Sequence, residues 1–222
     1  MLSRLFRAAF QLAHTARRKG WWRSCKVIPD WFEPYAGLET EASGVRDYRG
    51  ETVHALLQTE EYAFALAEAT VGVSPEEARE HAALRVARQE RLTGEQPPEL
   101  DVVMNEASLH REVGGPEVMA AQLRRLRERC DLPHVPCRIL PFEAGEHPAG
   151  FGSFTVLSFP ASGNRMVTYG DVGYMEYGLG ASHWEDPEEV AYYTRTLDGL
   201  RERALSPRKS ATLVEEAPTK YK

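Results

Sequence analysis

A carboxylate and an imidazole stand one helical turn apart, directly after a short apolar run. Residues 100–105, LDVVMN, predict a buried strand, and Glu106, His110 and Arg111 follow it. A spacing of four places Glu106 beside His110 on a helix, which suits acid–base chemistry or half of a metal site. The sequence offers no second pair of this kind, so a surface salt bridge is the competing interpretation.

A glycine-rich segment at residues 143–154, EAGEHPAGFGSF, carries a second candidate, His147. Its three glycines permit backbone conformations closed to other residues, and Phe151 and Phe154 stand near the histidine in the sequence. One interpretation is a mobile lid that presents His147 to a ligand, and the other is a plain hairpin connection. A phosphate loop is excluded because the segment lacks a Lys-Ser/Thr ending and a strand-to-helix context.

Polar and aromatic residues also gather at positions 169–177. They either line a pocket or form an exposed sheet edge that is protected by charge. An enzyme hypothesis follows, in which Glu106, His147 and Asp171 are the acid–base groups. Tyr169 and Tyr177 would then orient a small substrate.

The sequence LLQT at residues 56–59 places an amide and a hydroxyl after two apolar residues. Gln58, Thr59 and Tyr62 share about one face of a predicted helix, since residues three and four apart are neighbours. They either hold a ligand or partner peptide, or satisfy backbone donors at a helix start.

A zinc hypothesis rests on Cys130, His134 and Cys137, with His147 as the fourth ligand. The spacing matches no common zinc pattern, and residues 130–137 resemble a helix-to-strand turn. Gly-x-Ser-x-Gly, Walker and His-Glu-x-x-His motifs do not occur in the sequence. We therefore predict no metal and no cofactor.

Composition indicates an ordinary globular protein of 222 residues, with 42% hydrophobic and 27% charged residues. The sequence contains no run of roughly 18 apolar residues, so it predicts no membrane span. Three cysteines are too few for a disulfide framework, which favours a reducing cytoplasm.

The charge of the chain is unevenly distributed. Residues 1–29 carry seven basic side chains and no acid. Because the net charge of the whole chain is −6, the remaining residues carry a net charge of −13. An acidic body of this kind repels nucleic-acid backbones.

Residues 2–19 predict a basic amphipathic helix that Gly20 ends. It could lie on a membrane surface, act as a transit peptide, or dock on the body through its apolar face. We favour docking, because Trp21 and Trp22 follow at once and resemble packing anchors.

Helices fill the first half of the chain and strands the second, which predicts an α+β fold with a small, mainly antiparallel sheet and a C-terminal helix. The predicted helices cover residues 39–48, 52–69, 75–93, 116–130 and 187–205. The predicted strands cover residues 100–105, 135–141, 152–159 and 165–169. A capping box at Ser74 and Glu77 begins the third helix. The segment after Ser206 is predicted to be loose.

Seven segments, in this order, resemble the C-terminal domain of actinobacterial XRE-type helix-turn-helix regulators, a domain of unknown function. They are WFEPYAGLETEAS, LLQTEEYAFAL, RVARQERL, NEASLHREVGG, MAAQL, RILPFEAGEHPAGFGSF and ALSPRKS, within residues 20–212. The family pattern Pro-Gly-Leu-Leu-Gln-Thr here reads HALLQT at residues 54–59. Relatives carry a five-helix DNA-binding domain ahead of this region, of which LFRAAFQLAHTARRKGWW resembles the last helix and linker.

The resemblance implies an antitoxin-like transcriptional regulator, cytoplasmic and non-catalytic, whose ligand- or partner-binding domain this chain contains. The expected organisation is a basic helix and linker at residues 1–25, one α+β domain at 26–212 and a loose tail at 213–222. The expected partner is a small protein encoded nearby, or a small-molecule ligand. DNA is a partner only if an upstream helix-turn-helix exists, a membrane is not an expected partner, and an oligomer is possible. The residues expected to bind the ligand or partner are Gln58, Thr59, Tyr62, Arg111, His147, Phe151, Phe154, Tyr169 and Tyr177.

Overall fold

A single six-stranded sheet forms the centre of the molecule. The computed structural model describes residues 28–160 and 170–221. The strands are β1 (Gly44–Arg49), β2 (Glu99–Asn105), β3 (Cys137–Leu140), β4 (Phe154–Ser158), β5 (Val172–Tyr177) and β6 (Gly180–Trp184). Their order across the sheet is β3-β2-β1-β4-β5-β6.

The sheet is mixed, with β1 at the junction of its two halves. Strands β1, β2 and β3 run parallel, whereas β4, β5 and β6 each run antiparallel to the preceding neighbour in the sheet. Tyr48 near the end of β1 lies opposite Val103 of β2 and Phe154 of β4. The carboxyl ends of the parallel strands therefore lie beside the start of β4. We call this end of the strands the carboxyl edge.

Helices cover both faces of this sheet. They are α1 (Glu33–Glu41), α2 (Glu60–Glu68), α3 (Pro75–Arg88), α4 (Ala107–His110), α5 (Pro116–Arg129), α6 (Pro187–Arg203) and α7 (Pro207–Glu216). Short 3-10 segments occur at Ala55–Leu57, Gln89–Thr93, Phe142–Ala144 and Ala217–Tyr221. The larger core lies under α1, α2, α5 and α7, and the smaller one under α6. The predicted α+β class is thus confirmed.

Local capping signals explain several of the helix starts. Ser74 and Glu77 form the predicted capping box at the start of α3, with Pro75 in its first turn. Asp186 accepts hydrogen bonds from two backbone N–H groups at the start of α6. The strand predicted at residues 100–105 and the helix predicted from Pro116 are also observed.

The helix predicted at residues 39–48 is wrong, because its second half is strand β1. Val45, Asp47 and Arg49 point to the larger core, and the backbone pairs with β2 and β4 on both sides. Helix α1 instead begins earlier, at Glu33. Pairing with two neighbouring strands outweighs a local helical preference.

The segment after Ser206 was predicted to be loose, but it forms α7 and the last 3-10 turn. The Ser206 side chain caps α7, and Val214 is buried in the larger core. Ile139 on the edge strand β3 donates its N–H to the Ser210 hydroxyl and accepts the N–H of Leu205. The boundary predicted at residue 212 falls inside this helix.

Some predictions fall on parts of the chain for which no structure is described. The basic helix at residues 2–19 and the strand at residues 165–169 lie outside the described residues. Across 28–160 and 170–221, none of the helices is both long enough and apolar enough to cross a membrane.

Candidate ligand site

The carboxyl edge of the parallel strands brings Glu106 and Arg111 together with the chain that leaves β3. Glu106 Oε2 accepts the backbone N–H of Phe142 at 2.9 Å, and its Oε1 lies 3.1 Å from His110 Nε2. Arg111 forms an ion pair with Glu51, which follows β1. These contacts tie the ends of three strands to one another.

His147 reaches the same edge and meets Tyr48 of β1. Its Nδ1 accepts the N–H of Ala149 at 3.3 Å, so in the neutral ring Nε2 carries the proton, 3.4 Å from the Tyr48 hydroxyl oxygen. The Asn105 side chain also hydrogen-bonds this hydroxyl, while burial raises the pKa of Tyr48. Tyr48 is therefore neutral, with its oxygen held by two neighbouring side chains.

The glycine-rich segment packs against α6 through its aromatic residues. Phe154 is fully buried and contacts Tyr48 and Tyr193, whereas Phe151 is half exposed and contacts Phe154 and Tyr193. An open groove of about 520 Å³ lies between residues 146–148 and α6. Phe154 belongs to the core, so of the binding residues predicted in this segment only His147 and Phe151 keep surface that a ligand could meet.

Asp171 lies at the opposite end of the strands from Glu106 and His147. It precedes Val172, which pairs with Leu157, and Leu157 in turn pairs with Val45 near the start of β1. The length of β1 therefore separates Asp171 from the carboxyl edge by roughly 13 Å or more. The structure does not bring the three predicted acid–base groups together.

Tyr177 ends β5 and is half exposed, with its hydroxyl donating to the Ala181 carbonyl at 3.4 Å. Tyr169, which the enzyme hypothesis paired with it, lies outside the described residues. Tyr177 therefore has no described partner among the predicted site residues.

Gln58, Thr59 and Tyr62 use their polar atoms inside the protein. The Thr59 hydroxyl accepts the Tyr62 N–H at the start of α2, and the Tyr62 hydroxyl accepts the N–H of Val53. Gln58 Nε2 donates to the Val53 carbonyl at 2.7 Å. The three residues do not form the exposed binding face that we considered, and the alternative of a hydrogen-bonded helix start fits these contacts.

The zinc hypothesis finds no geometric support. His134 Nε2 lies 2.8 Å from the Leu92 carbonyl, which makes that nitrogen a donor to the backbone. In the part of the chain that the structure describes, no three His, Cys, Asp or Glu side chains are grouped to hold a metal ion.

A second polar assembly, which the sequence did not reveal, lies on the larger-core side of β1. We call it the buried charge cluster, and its members are Glu39, Asp47, Arg49, His54, Arg85 and Arg88. Asp47 is 0% exposed and accepts two hydrogen bonds from Arg49, at 2.7 and 2.8 Å. The Thr155 hydroxyl on β4 donates a third at 2.5 Å. The Asp47 charge is thus fully compensated by neighbours on the sheet.

A second ion pair joins α1 to α3 inside the buried charge cluster. Arg88 donates to both Glu39 oxygens, at 2.6 and 2.8 Å, and the Tyr35 hydroxyl donates to Glu39 at 3.0 Å. Burial alone would raise the pKa of Glu39, but Arg88 outweighs this effect and the pKa is lowered. The Tyr35 ring also stacks on Tyr174 of β5, with centroids 4.1 Å apart.

His54 stands next to Asp47 as a neutral imidazole. Its Nδ1 accepts the N–H of Leu56 at 3.2 Å, and its Nε2 lies 3.8 Å from Asp47 Oδ2. Burial lowers the pKa of His54 to about 4, despite the opposing effect of Asp47. The imidazole therefore adds no positive charge near neutral pH.

Arg85 is the member of the cluster with a neutral partner. Its guanidinium donates to Gln58 Oε1 at 3.0 Å, and Gln58 is itself held by the backbone. Among the described residues no carboxylate forms an ion pair with Arg85. Burial, and next the nearby Arg88, lower the pKa of Arg85, while the exposed Glu176 at the end of β5 acts in the opposite direction. Three guanidiniums thus share two buried carboxylates.

A comparison with protein families assigns most of the chain. Residues 32–216 match the model of a family described as Domain of unknown function (DUF5753). The chain belongs to this family. Both the carboxyl edge and the buried charge cluster lie within the DUF5753 region. No curated protein and no solved structure matches the chain.

Proposed function

We propose that this DUF5753 chain is a non-catalytic regulatory domain that binds a small anion at the buried charge cluster. The observation that carries the proposal is Arg85, whose partner is an amide rather than a carboxylate. A cation that is largely desolvated, as Arg85 is despite its partial exposure, normally has an anionic partner, because its desolvation is costly. A ligand carboxylate or phosphate would supply that partner.

The neighbouring arginines support a ligand at Arg85 rather than elsewhere in the cluster. Arg49 and Arg88 each direct two N–H groups at one protein carboxylate, so both are already engaged. Arg85 commits one nitrogen to Gln58, and its planar fork suits bidentate binding of an oxyanion. Arg85 is only partly buried, so solvent and small ions can reach this part of the cluster.

The same cluster offers a route from the ligand to the amino-terminal region. Arg88 lies one helical turn after Arg85 on α3 and holds Glu39 of α1. A charge added at Arg85 would therefore alter the potential at the Arg88–Glu39 pair and the position of α1. In helix-turn-helix relatives α1 would follow the DNA-reading head, which fits an antitoxin-like, cytoplasmic transcriptional regulator.

The alternative of a stand-alone enzyme has less support. It requires Glu106, His147 and Asp171 to act on one substrate, and Asp171 lies at the other end of the strands. Glu106 is also engaged with the Phe142 N–H and His110. A domain that binds a ligand and catalyses no reaction needs no such shared site, so it fits the separation of these three residues better.

An Arg85→Gln variant is expected to lose the bound anion. Glutamine keeps a polar side chain near Gln58 but removes the charge, so affinity should fall about tenfold or more. Mass spectrometry of small molecules released from the purified chain measures the loss. Titration with phosphate and acetate, followed by melting temperature at constant ionic strength, measures the affinity.

Arg79→Gln is the matched control, since Arg79 is exposed on the same helix and lies over the Phe64 ring. It should retain the wild-type anion and the wild-type response to phosphate and acetate. Equal anion content and equal responses in wild type and Arg85→Gln would refute the proposal.

A small partner protein encoded nearby is a second candidate. It is favoured by the tip of the β5–β6 hairpin, where Leu179 is 95% exposed and Tyr177 is half exposed. We expect a stoichiometric small protein to co-purify with the wild-type chain and to be lost from a Leu179→Asp variant. Co-purification that is unaffected by Leu179→Asp would exclude the hairpin tip as the contact.

A further inference from the structure

The two outer strands of the sheet, β3 and β6, differ in what covers their free sides. On β3, the backbone of Ile139 is hydrogen-bonded to Ser210 and Leu205, so that side is closed. Strand β6 pairs with β5 on one side, and no strand among residues 28–160 and 170–221 pairs with its other side. We call this side of β6 the open edge. A strand that pairs on one side offers a row of backbone N–H and C=O groups to a further strand.

The turn between β5 and β6 decides which backbone groups of β6 point to the open edge. Tyr177 and Gly180 pair across a two-residue turn, so they exchange backbone hydrogen bonds. Because such pairs alternate along an antiparallel ladder, Ala181 and His183 direct their N–H and C=O groups outward. In the described part of the chain, neither residue forms a backbone hydrogen bond outside the β5–β6 pair. The Ala181 carbonyl accepts a 3.4 Å hydrogen bond from the Tyr177 hydroxyl and keeps a second lone pair.

Strand β6 lacks the features that usually protect an outer strand from pairing. Its sequence, GASHW, contains no charged residue and no proline. Its ladder with β5 runs through consecutive residue pairs without a bulge that would twist the strand away. Leu179, at the turn that precedes β6, is 95% exposed. An uncharged strand with an apolar residue at its end favours a partner strand that is also uncharged.

We propose that β6 pairs antiparallel with β6 of a second copy of this chain, which joins two six-stranded sheets into one sheet of twelve strands. The outward backbone groups fix the register. Ala181 of each copy must lie opposite the partner's His183, and each of these two pairs exchanges both N–H···O bonds. The two copies of Ser182 then face each other on the two-fold axis. Any other two-fold register moves one member of such a pair outside β6 and loses its hydrogen bonds.

The side chains of β6 suit this register. Gly180 lies opposite the partner's Trp184, so the smallest residue of the strand faces the largest, and no two charges meet. The Trp184 ring stacks on Tyr193 with centroids 4.4 Å apart, which holds it on its own chain. Leu179 would lie beside the partner's Trp184 and lose much of its exposure. The pairing does not depend on the anion proposed at Arg85.

Paired substitutions at Ser182 test both the register and the identity of the partner. In sedimentation equilibrium, the mass of the wild-type chain should rise from 25.0 kDa towards twice that value as its concentration increases. Ser182→Lys and Ser182→Glu each place two like charges opposite each other, so each should weaken the dimer about fivefold or more. An equal mixture of the two variants should restore the dimer, because every mixed dimer pairs a lysine with a glutamate.

Ser43→Lys is the matched control, because Ser43 is exposed and precedes β1 in the interior of the sheet. It should dimerise like the wild type. Ala181→Pro removes an outward N–H and no bond to β5, so it should weaken the dimer independently, with circular dichroism confirming that each variant folds. Three outcomes would overturn the proposal. They are a wild-type mass that stays at 25.0 kDa up to roughly 1 mM, a dimer that neither Ser182 variant weakens, and a loss that mixing the two variants does not restore.

Discussion

Replacing Glu39 by alanine is expected to lower the free energy of unfolding by about 3–5 kcal/mol. Glu39 is 2% exposed, and its carboxylate accepts hydrogen bonds from Arg88 and Tyr35. The substitution leaves a buried guanidinium without its anion and a buried hydroxyl without its acceptor. The uncompensated Arg88 charge accounts for most of the loss, since two rings flank its guanidinium and limit its access to water.

Urea unfolding followed by circular dichroism measures this effect. Glu41→Ala is the matched control, because Glu41 is an exposed carboxylate on the last turn of the same helix. It should change the free energy of unfolding by less than about 0.5 kcal/mol. A double variant, Glu39→Leu with Arg88→Met, should recover much of the lost stability, since an apolar pair often replaces a buried ion pair without penalty. A Glu39→Ala protein as stable as Glu41→Ala would show that the buried pair contributes nothing.

Local signals in the sequence predicted the helices that carry them. The capping box at Ser74 and the proline-initiated helix from Pro116 depend on residues within one turn, so both were found correctly. Strand β1 was missed because its core-facing positions include Asp47 and Arg49. Their burial depends on Thr155 and on neighbouring strands, which no local pattern reveals.

The candidate site likewise contains residues that a local sequence pattern predicts and residues that only the fold brings together. Glu106 was predicted correctly to follow a strand, because the residues after a strand are readable from the apolar run before them. The contact of His147 with Tyr48 at the same end of the sheet was not predicted. The buried charge cluster was missed because its acids and arginines come from segments up to 49 residues apart, as in the Arg88–Glu39 pair. The charged positions of α3, including Arg85, resemble those of a solvated helix, and only the packing of α3 on α2 and on the 3-10 segment Ala55–Leu57 shows which of them are covered.

The imidazole of His54 is expected to make the protein less stable as the pH falls from about 6.5 towards 4. In the unfolded chain the imidazole binds a proton below its ordinary pKa of 6.5, whereas in the folded protein burial lowers that pKa to about 4. Between these values the unfolded state holds one more proton than the folded state, so acid favours unfolding. The contribution is fully present above pH 6.5 and is lost as the pH falls through this window.

Between pH 7 and pH 4.5, this linkage should remove about 2–3 kcal/mol of stability from the wild type. His54→Asn keeps an acceptor for the Leu56 N–H but cannot bind a proton in this range. Urea unfolding at the two pH values measures both proteins. Carboxylates such as Asp47 and Glu39 are common to both and largely cancel in the difference, so the variant should lose about 2–3 kcal/mol less than the wild type. Equal losses would mean that His54 accepts its proton in the folded state, with Asp47 outweighing burial and the cationic neighbours Arg49 and Arg88. In that case a fourth cation would share the two buried carboxylates in acid, and the cluster would attract an anion more strongly in acid than at neutral pH.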